Sequence, residues 1–348
     1  MRRFTCPCGH VLFFGSFRCL SCGGEVGYDA RGGAMALVGA AMKRCDNGLQ
    51  HNLCNWLLPA AESQSLCIAC RTNRTIPSLA TDRNRTLWAR MEMAKRRLLV
   101  TLLRLGLSVP SRSEDPRAGL AFDIVSTVAN PAVTTGHLDG VITVDLEEAD
   151  DAYRQFNRER LGESSRTLLG HFRHESGHYL WHRFLANEAW DAPLRLAFRE
   201  RFGDDQRDYG AALGDHYRAG APAGWEQRFV TGYAASHPWE DWAETWAHYL
   251  QITDALETCE SLGIQAQHLT LPLVMLPASA GALPDVLPQS AEADGAFLAS
   301  LQRWMCLSTA LNEVSQSLGE PPLYPFVTPT PVARKLRLAH HFAAVWGR

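Results

Sequence analysis

The most chemically pointed stretch of this sequence is His174-Glu175-Ser176-Gly177-His178. Histidines four residues apart lie one turn apart on the same helix face, so both imidazoles can reach one ion. Glu175 is rotated about a quarter turn from His174, which places a carboxylate beside a water bound to such an ion. The competing reading is a structural helix rich in histidine, since His171 and His182 share the stripe. A downstream acidic cluster weighs against it. His237-Pro238-Trp239-Glu240-Asp241-Trp242-Ala243-Glu244-Thr245-Trp246-Ala247-His248 reads as a helix opened near Ser236 or His237, with Pro238 in its first turn. Glu240 and Glu244 share one face, and the interleaved tryptophans argue against a solvated helix. A catalytic zinc ion needs three protein ligands and one open position. Glu240 can supply the third, with Asp241 and Glu244 as alternatives. Either of those two acids can instead support the site, Glu244 by orienting a ligating histidine through its other ring nitrogen.

Cysteine supplies the second chemistry. Eight of the ten cysteines fall within the first 70 residues, as Cys6/Cys8, Cys19/Cys22, Cys45/Cys54 and Cys67/Cys70. The opening Met-Arg-Arg-Phe-Thr-Cys-Pro-Cys has no apolar stretch and does not read as a signal peptide, so the expected location is the cytoplasm. There, close cysteine pairs favour thiolate–zinc ligation over disulfides. Glycine after Cys8 and after Cys22 suits the tight turns of a ribbon site. Two structural zinc ions are expected, one on Cys6, Cys8, Cys19 and Cys22, the other on Cys45, Cys54, Cys67 and Cys70. Spacing leaves open a cross-braced pairing, and a redox dithiol at Cys67/Cys70 is the competing reading of that pair. Cys259 and Cys306 stand alone and read as buried thiols.

The 348 residues are enough for two domains, and 46% apolar with 20% charged residues is ordinary for a globular protein with a core. No apolar run approaches the roughly 20 residues that cross a bilayer, so no membrane partner is expected. The net charge of -3 hides an asymmetry: residues 1–106 carry 15 Lys/Arg against 6 Asp/Glu, and residues 107–348 carry 19 against 31. A basic N-terminal part suits a nucleic-acid or acidic protein partner, or docking on the chain's own acidic remainder.

The elements that must position these groups follow from periodicity. Residues 1–78 read as a loop-rich module stapled by metal. Thr81 or Asp82 can cap a long helix over 83–106, with Leu87, Met91, Ala94, Leu98, Leu102 and Leu105 as its apolar stripe. Its charges, Arg83, Arg85, Arg90, Lys95, Arg96 and Arg97, read as a solvated face. Strands are expected at 121–128 and 141–146, with turn residues between them. Helices follow at 149–161, 165–187, 190–202, 205–218, 238–260, 292–318 and 331–346, and the proline-rich 268–290 reads as a connecting loop. The expectation is an α+β fold, mainly α: a double zinc-ribbon module over 1–78, then a zincin-like domain with a small sheet over 79–348.

Several long strings carry a resemblance: Cys70-Arg71-Thr72-Asn73-Arg74-Thr75-Ile76-Pro77, Ala94-Lys95-Arg96-Arg97, Thr135-Gly136-His137, Arg166-Thr167-Leu168-Leu169-Gly170-His171-Phe172-Arg173-His174-Glu175 and residues 240–248. Through them and the cysteine module, the chain resembles the bacterial zinc-binding metallopeptidase family that carries an N-terminal zinc ribbon. More broadly, the ligand set resembles that of the gluzincins, in which a downstream helix supplies a glutamate. The departure is spacing: 62 residues separate His178 from Glu240, so a helical insertion lies between. The arrangement is closer to lethal-factor-like sites, where a tyrosine lies seven residues before the ligand glutamate, as Tyr233 does here. The resemblance implies that Tyr233 stabilises the oxyanion; from the residues alone it could equally be a core aromatic.

These readings combine into metal-assisted amide hydrolysis. Zinc on His174, His178 and Glu240 activates water, Glu175 is the general base, and Tyr233 supports the charge on the carbonyl oxygen. The strand at 141–146 is the sheet edge expected to pair with an extended peptide, as in zincins generally. His137, His216 and Tyr217 are weaker candidates for the cleft. The leading alternative is a zinc-ribbon regulatory protein that binds nucleic acid or protein, with an inactive or gated zincin core. A third reading keeps the hydrolase but gives it small amidated or isopeptide-linked substrates.

Overall fold

A computed structural model describes residues 3–130, 132–133, 135–161, 167–185, 192–271 and 275–346. The expected helical positions 165–166, 186–187 and 190–191, Arg166 among them, and residues 272–274 of the expected loop lie outside the described residues. The architecture is α+β and mainly α, with cysteine-bearing turns at the N-terminus. The chain divides into two compact units, Met1–Phe172 and Arg173–Trp346. Among the described residues, no helix is long and apolar enough to cross a membrane.

The first unit opens with the antiparallel pair β1 (Phe4–Thr5) and β2 (Val11–Leu12), whose connection holds Cys6 and Cys8. β3 (Val26–Asp29), β4 (Ala34–Leu37), β5 (Met42–Arg44) and, after α1 (Asp46–His51), β6 (Trp56–Pro59) form a sheet of order β4-β3-β6-β5. Residues 1–78 are therefore less loop-rich than expected. Strands of two to four residues are too short to show alternation. After α2 (Ile68–Arg71), β7 (Asn73–Thr75) leaves the cysteine-rich stretch to pair in parallel with β8 (Ala121–Val125).

Between those strands runs α3 (Asp82–Arg104), capped by Thr81, whose hydroxyl accepts from the Asn84 N–H at 3.1 Å. Leu87, Met91, Ala94, Leu98 and Leu102 are buried as expected, but Lys95 and Arg96 are buried too. They are not on a solvated face. Lys95 donates to Glu92 at 2.9 Å and also bonds Asn73, and partners of this kind let charge leave water.

β9 (Gly136–Leu138) and β10 (Val141–Asp145) complete a sheet of order β7-β8-β10-β9. Asp139 and Gly140 both have positive φ, 48° and 80°, the backbone of a two-residue hairpin turn that folds β9 onto β10. The strand expected as the sheet edge is thereby an interior one. β10 lies between β8, in parallel, and β9, antiparallel, so its ladder is occupied on both sides along Val141–Thr143. A 3-10 turn (Leu146–Ala149) precedes α4 (Asp151–Leu161). α5 (Leu168–Leu180) begins in the first unit and carries the paired histidines into the second, ending in a π-type turn (Trp181–Leu185).

The second unit is helical: α6 (Ala192–Phe202), α7 (Tyr209–Ala219), α8 (Pro238–Ser261), α9 (Ala291–Ser317) and α10 (Thr330–Trp346). α7 starts later than expected because Asp208 caps it, accepting from the Ala211 N–H at 2.8 Å. Residues 268–290 hold the end of the 3-10 turn Ala266–His268 and the 3-10 turn Ala278–Ala280, and are otherwise irregular where described. α8 is the core helix. It buries Trp242, Trp246 and Leu250, and the Trp242 ring meets Phe342 of α10 edge-on at 5.0 Å.

α5 and α8 cross at very close range, and Gly177 makes that possible. A Cβ there would lie 2.9 Å from the Ala243 Cα and 3.3 Å from the Trp246 Cβ. Indole N–H groups lock the crossing: Trp242 Nε1 donates to the Gly177 carbonyl at 2.9 Å and Trp246 Nε1 to the Ser176 hydroxyl at 3.1 Å. Arg173 adds a buried ion pair to Asp254 at 2.6 Å. Gly177→Ala is expected to force the helices apart, cost about 1–3 kcal/mol and lower zinc content. Urea unfolding and metal analysis of the purified variant check this.

Candidate metal centre

Within the second unit, α5 and α8 bring together three of the residues singled out from the sequence. His174 Nε2 and His178 Nε2 lie 3.1 Å apart, His174 Nε2 and Glu240 Oε2 3.1 Å, and His178 Nε2 and Glu240 Oε1 3.4 Å. Tetrahedral zinc with bonds of about 2.0–2.1 Å sets its donor atoms about 3.3 Å apart, which these separations match. Glu240 Oε2 makes no hydrogen bond despite its distance from His174 Nε2, although the side chain is 1% exposed. A buried carboxylate oxygen left in this state has the geometry of a ligand facing an ion rather than of a hydrogen-bonded pair.

Charge in the centre agrees with this. Burial alone would depress the His174 imidazolium, yet Glu240 and Glu244 hold it well above the usual histidine range. Burial alone would raise the Glu240 carboxyl, yet the cationic forms of His178 and His174 hold it well below the usual carboxylate range. The carboxylates thus demand a positive charge here, and a divalent ion fits that demand.

The neighbouring groups fix how each donor points. Glu244 Oε1 lies 2.6 Å from His174 Nδ1, and its Oε2 accepts from the Thr231 hydroxyl at 2.8 Å. With Nδ1 carrying its proton toward Glu244, the Nε2 lone pair is turned to the ion position. Tyr209, the first residue of α7, donates its hydroxyl to Glu240 Oε1 at 2.7 Å. Asp241 is not with the histidines. It sits one residue beyond Glu240, about 100° around α8, and its carboxylate pairs with Lys335 of α10 at 2.5 Å. The same ammonium donates to the Arg228 carbonyl at 2.8 Å.

Glu175 is buried beside His174, and its negative charge contributes to the raised Tyr209 pKa, after burial and Glu240. The Tyr233 ring lies 6.1 Å from the His174 ring, and His216 packs edge-on to Tyr233 at 5.8 Å. Tyr217 is exposed next to His216. His137 has a turn role, its Nε2 accepting from the Gly140 N–H at 3.1 Å. Tyr209, Thr231 and Lys335 escaped the sequence reading, since no spacing rule links residues so far apart in the chain.

The eight N-terminal cysteines gather in two quartets, Cys6/Cys8/Cys19/Cys22 and Cys45/Cys54/Cys67/Cys70. Sγ separations of 3.8 Å for Cys6–Cys22, 3.6 Å for Cys8–Cys19 and 3.7 Å for Cys54–Cys67 match the roughly 3.8 Å edge of a zinc tetrathiolate. Cys259 and Cys306 lie apart from these, buried in one apolar cluster with Leu307.

A family described as "Putative zinc-binding metallo-peptidase" matches residues 84–342, and a zinc-ribbon domain matches residues 3–81. The chain belongs to this metallopeptidase family. An uncharacterized protein of Mycobacterium bovis and two from Mycobacterium tuberculosis strains are each 43% identical to it over 345 residues, 98% of this chain and 94% of theirs. No solved structure matches. As a member of a zinc-binding family, the chain has, among the described residues, donor sets that suit zinc at three places. Replacing Glu240 by Ala is expected to lower zinc by one equivalent per chain, while Asp241→Asn leaves the count unchanged. Elemental analysis of both variants checks the assignment.

Proposed function

We propose that this chain is a zinc-dependent peptidase that hydrolyses amide bonds of peptide or peptide-like substrates. The observation that carries the reading is the triangle of His174, His178 and Glu240 donor atoms with an orphaned carboxylate oxygen, adjoining Glu175. One catalytic zinc ion belongs there, and two structural zinc ions belong on the cysteine quartets. Zinc bound by this set supplies Lewis acidity, lowering the pKa of water and polarising a carbonyl. Glu175 accepts the proton of the attacking water and returns it to the leaving amine. Tyr233 keeps its phenolic proton at neutral pH, because burial and the Glu240 charge push its pKa up. It is therefore a donor for the charge that develops on the carbonyl oxygen. Glu244, steadied by Thr231, holds His174 in orientation, and Tyr209 holds Glu240.

The alternative of a nucleic-acid or protein partner at the basic N-terminal module has less free charge to work with than composition suggests. Arg71 pairs with Glu62 and Glu114, Arg74 with Asp123, Arg83 with Glu147 and Asp150, and Arg90 with Asp151, all within the first unit. Thiolate ligation suits the reducing cytoplasm, where we place the protein.

The test is proteolysis of a peptide library by zinc-loaded protein, with new termini read by mass spectrometry. Wild type is expected to cleave, Glu175→Gln to keep its zinc and lose about 10²–10⁴-fold in rate, and Tyr233→Phe to lose about 10²-fold or more. Zinc-loaded wild type that yields no more termini than Glu175→Gln would overturn the reading.

A further inference from the structure

The two cysteine quartets differ in their surroundings. In the first, Cys8 and Cys22 are exposed; in the second, all four thiols are buried. Four thiolates around a divalent ion carry a net charge of about −2, which is costly to bury without compensation. Backbone donors supply part of it, Cys67 N–H toward Cys45 Sγ at 3.4 Å and Trp56 N–H toward Cys54 Sγ at 3.5 Å.

A side chain on α3 completes the account. Arg96 is 1% exposed, and its Nη2 donates to the Leu53 carbonyl at 2.8 Å, next to Cys54. Its Nε and Nη1 have no hydrogen-bond partner. The carboxylate it meets is Glu92 at 3.7 Å, and that group already takes Lys95 at 2.9 Å and the Asn73 amide at 3.0 Å. Glu92, Lys95 and Arg96 therefore leave one uncompensated positive charge in the interior, which only an anionic neighbour makes tolerable. Burial works against the Arg96 charge, while Cys54, Glu92, Cys70 and Cys67 favour it. The cysteine quartet is that neighbour.

We propose that Arg96 is the buried counter-charge of the Cys45/Cys54/Cys67/Cys70 centre. This centre keeps its divalent ion as a fixed part of the fold, while the Cys6/Cys8/Cys19/Cys22 centre exchanges its ion with solvent. The two ribbon metals are thus unequal, the outer one, on Cys6/Cys8/Cys19/Cys22, being more labile than the inner one, on Cys45/Cys54/Cys67/Cys70. The cation acts by offsetting thiolate charge, which makes the sulfurs poorer targets for protons and electrophiles.

The experiment uses the full zinc-loaded chain, treated with EDTA and pulsed with iodoacetamide, with alkylation mapped cysteine by cysteine. Cys8 and Cys22 are expected to be labelled at least about tenfold faster than the inner four, with helical circular dichroism unchanged. Arg96→Met is expected to raise inner-quartet labelling about tenfold and leave the outer quartet as it was, and Arg96→Lys to stay within about threefold of wild type. Equal labelling of the two quartets in wild type overturns the proposal, as does a folded Arg96→Met with wild-type inner protection. If Arg96→Met does not fold, Arg96→Lys decides: retained inner protection supports the counter-charge, and its loss overturns it. Labelling needs no peptidase activity, so this result stands apart from the fate of the hydrolase reading.

Discussion

The backbone approach of two helices at Gly177 is the constraint on which the candidate metal centre depends. A histidine pair on one helix and a glutamate on another can share an ion only if the axes lie near enough for short side chains to meet. Gly177 falls inside the histidine motif itself, one residue before His178, so the residue that closes the distance and those that use it are set in one turn. Trp242 and Trp246 hold that distance by bonding their indole N–H groups back to Gly177 and Ser176. Their rings fill the space beneath, which makes close packing and donor geometry a single structural event.

α8 then solves a problem of crowded charge. Glu240, Asp241 and Glu244 lie within five consecutive residues, and all three are buried or nearly so. Helical rotation sends them to separate partners. Glu240 faces the histidines and Tyr209, Asp241 turns to Lys335, and Glu244 is held between His174 and Thr231. Each acid is compensated by a different group; Glu240 Oε2 and Asp241 Oδ1 each lack a hydrogen bond, and of the two only Glu240 Oε2 lies beside the paired histidines. Asp241, its pKa pushed up to about 7 by burial with Lys335 pulling the other way, ties α10 to the helix that carries Glu240.

Much of this was legible in the chain because it depends on local period. The spacing of His174 and His178, the helical face shared by Glu240 and Glu244, and the cysteine pairs all follow from the geometry of one turn. The long helices were likewise readable, since twenty residues give periodicity room to appear. What failed was local signal too short or partners too distant. The strands of the cysteine-rich stretch are two to four residues long. The strand Val141–Asp145 looked like an edge because three residues, Gly136–Leu138, suffice to cover it. Lys95 and Arg96 looked solvated because their partners Asn73 and Leu53 come from other segments. Tyr209 and Thr231 are ordinary residues made special by where α7 and the turn before α8 deliver them.

The contact of α10 with α8 also bears on the order in which the protein is made. Lys335 pairs with the acid beside Glu240, and Phe342 closes over Trp242, yet both emerge from the ribosome roughly 160 residues after the histidines. Until that stretch is translated, α8 lacks a cation for Asp241 and a cover for its indoles.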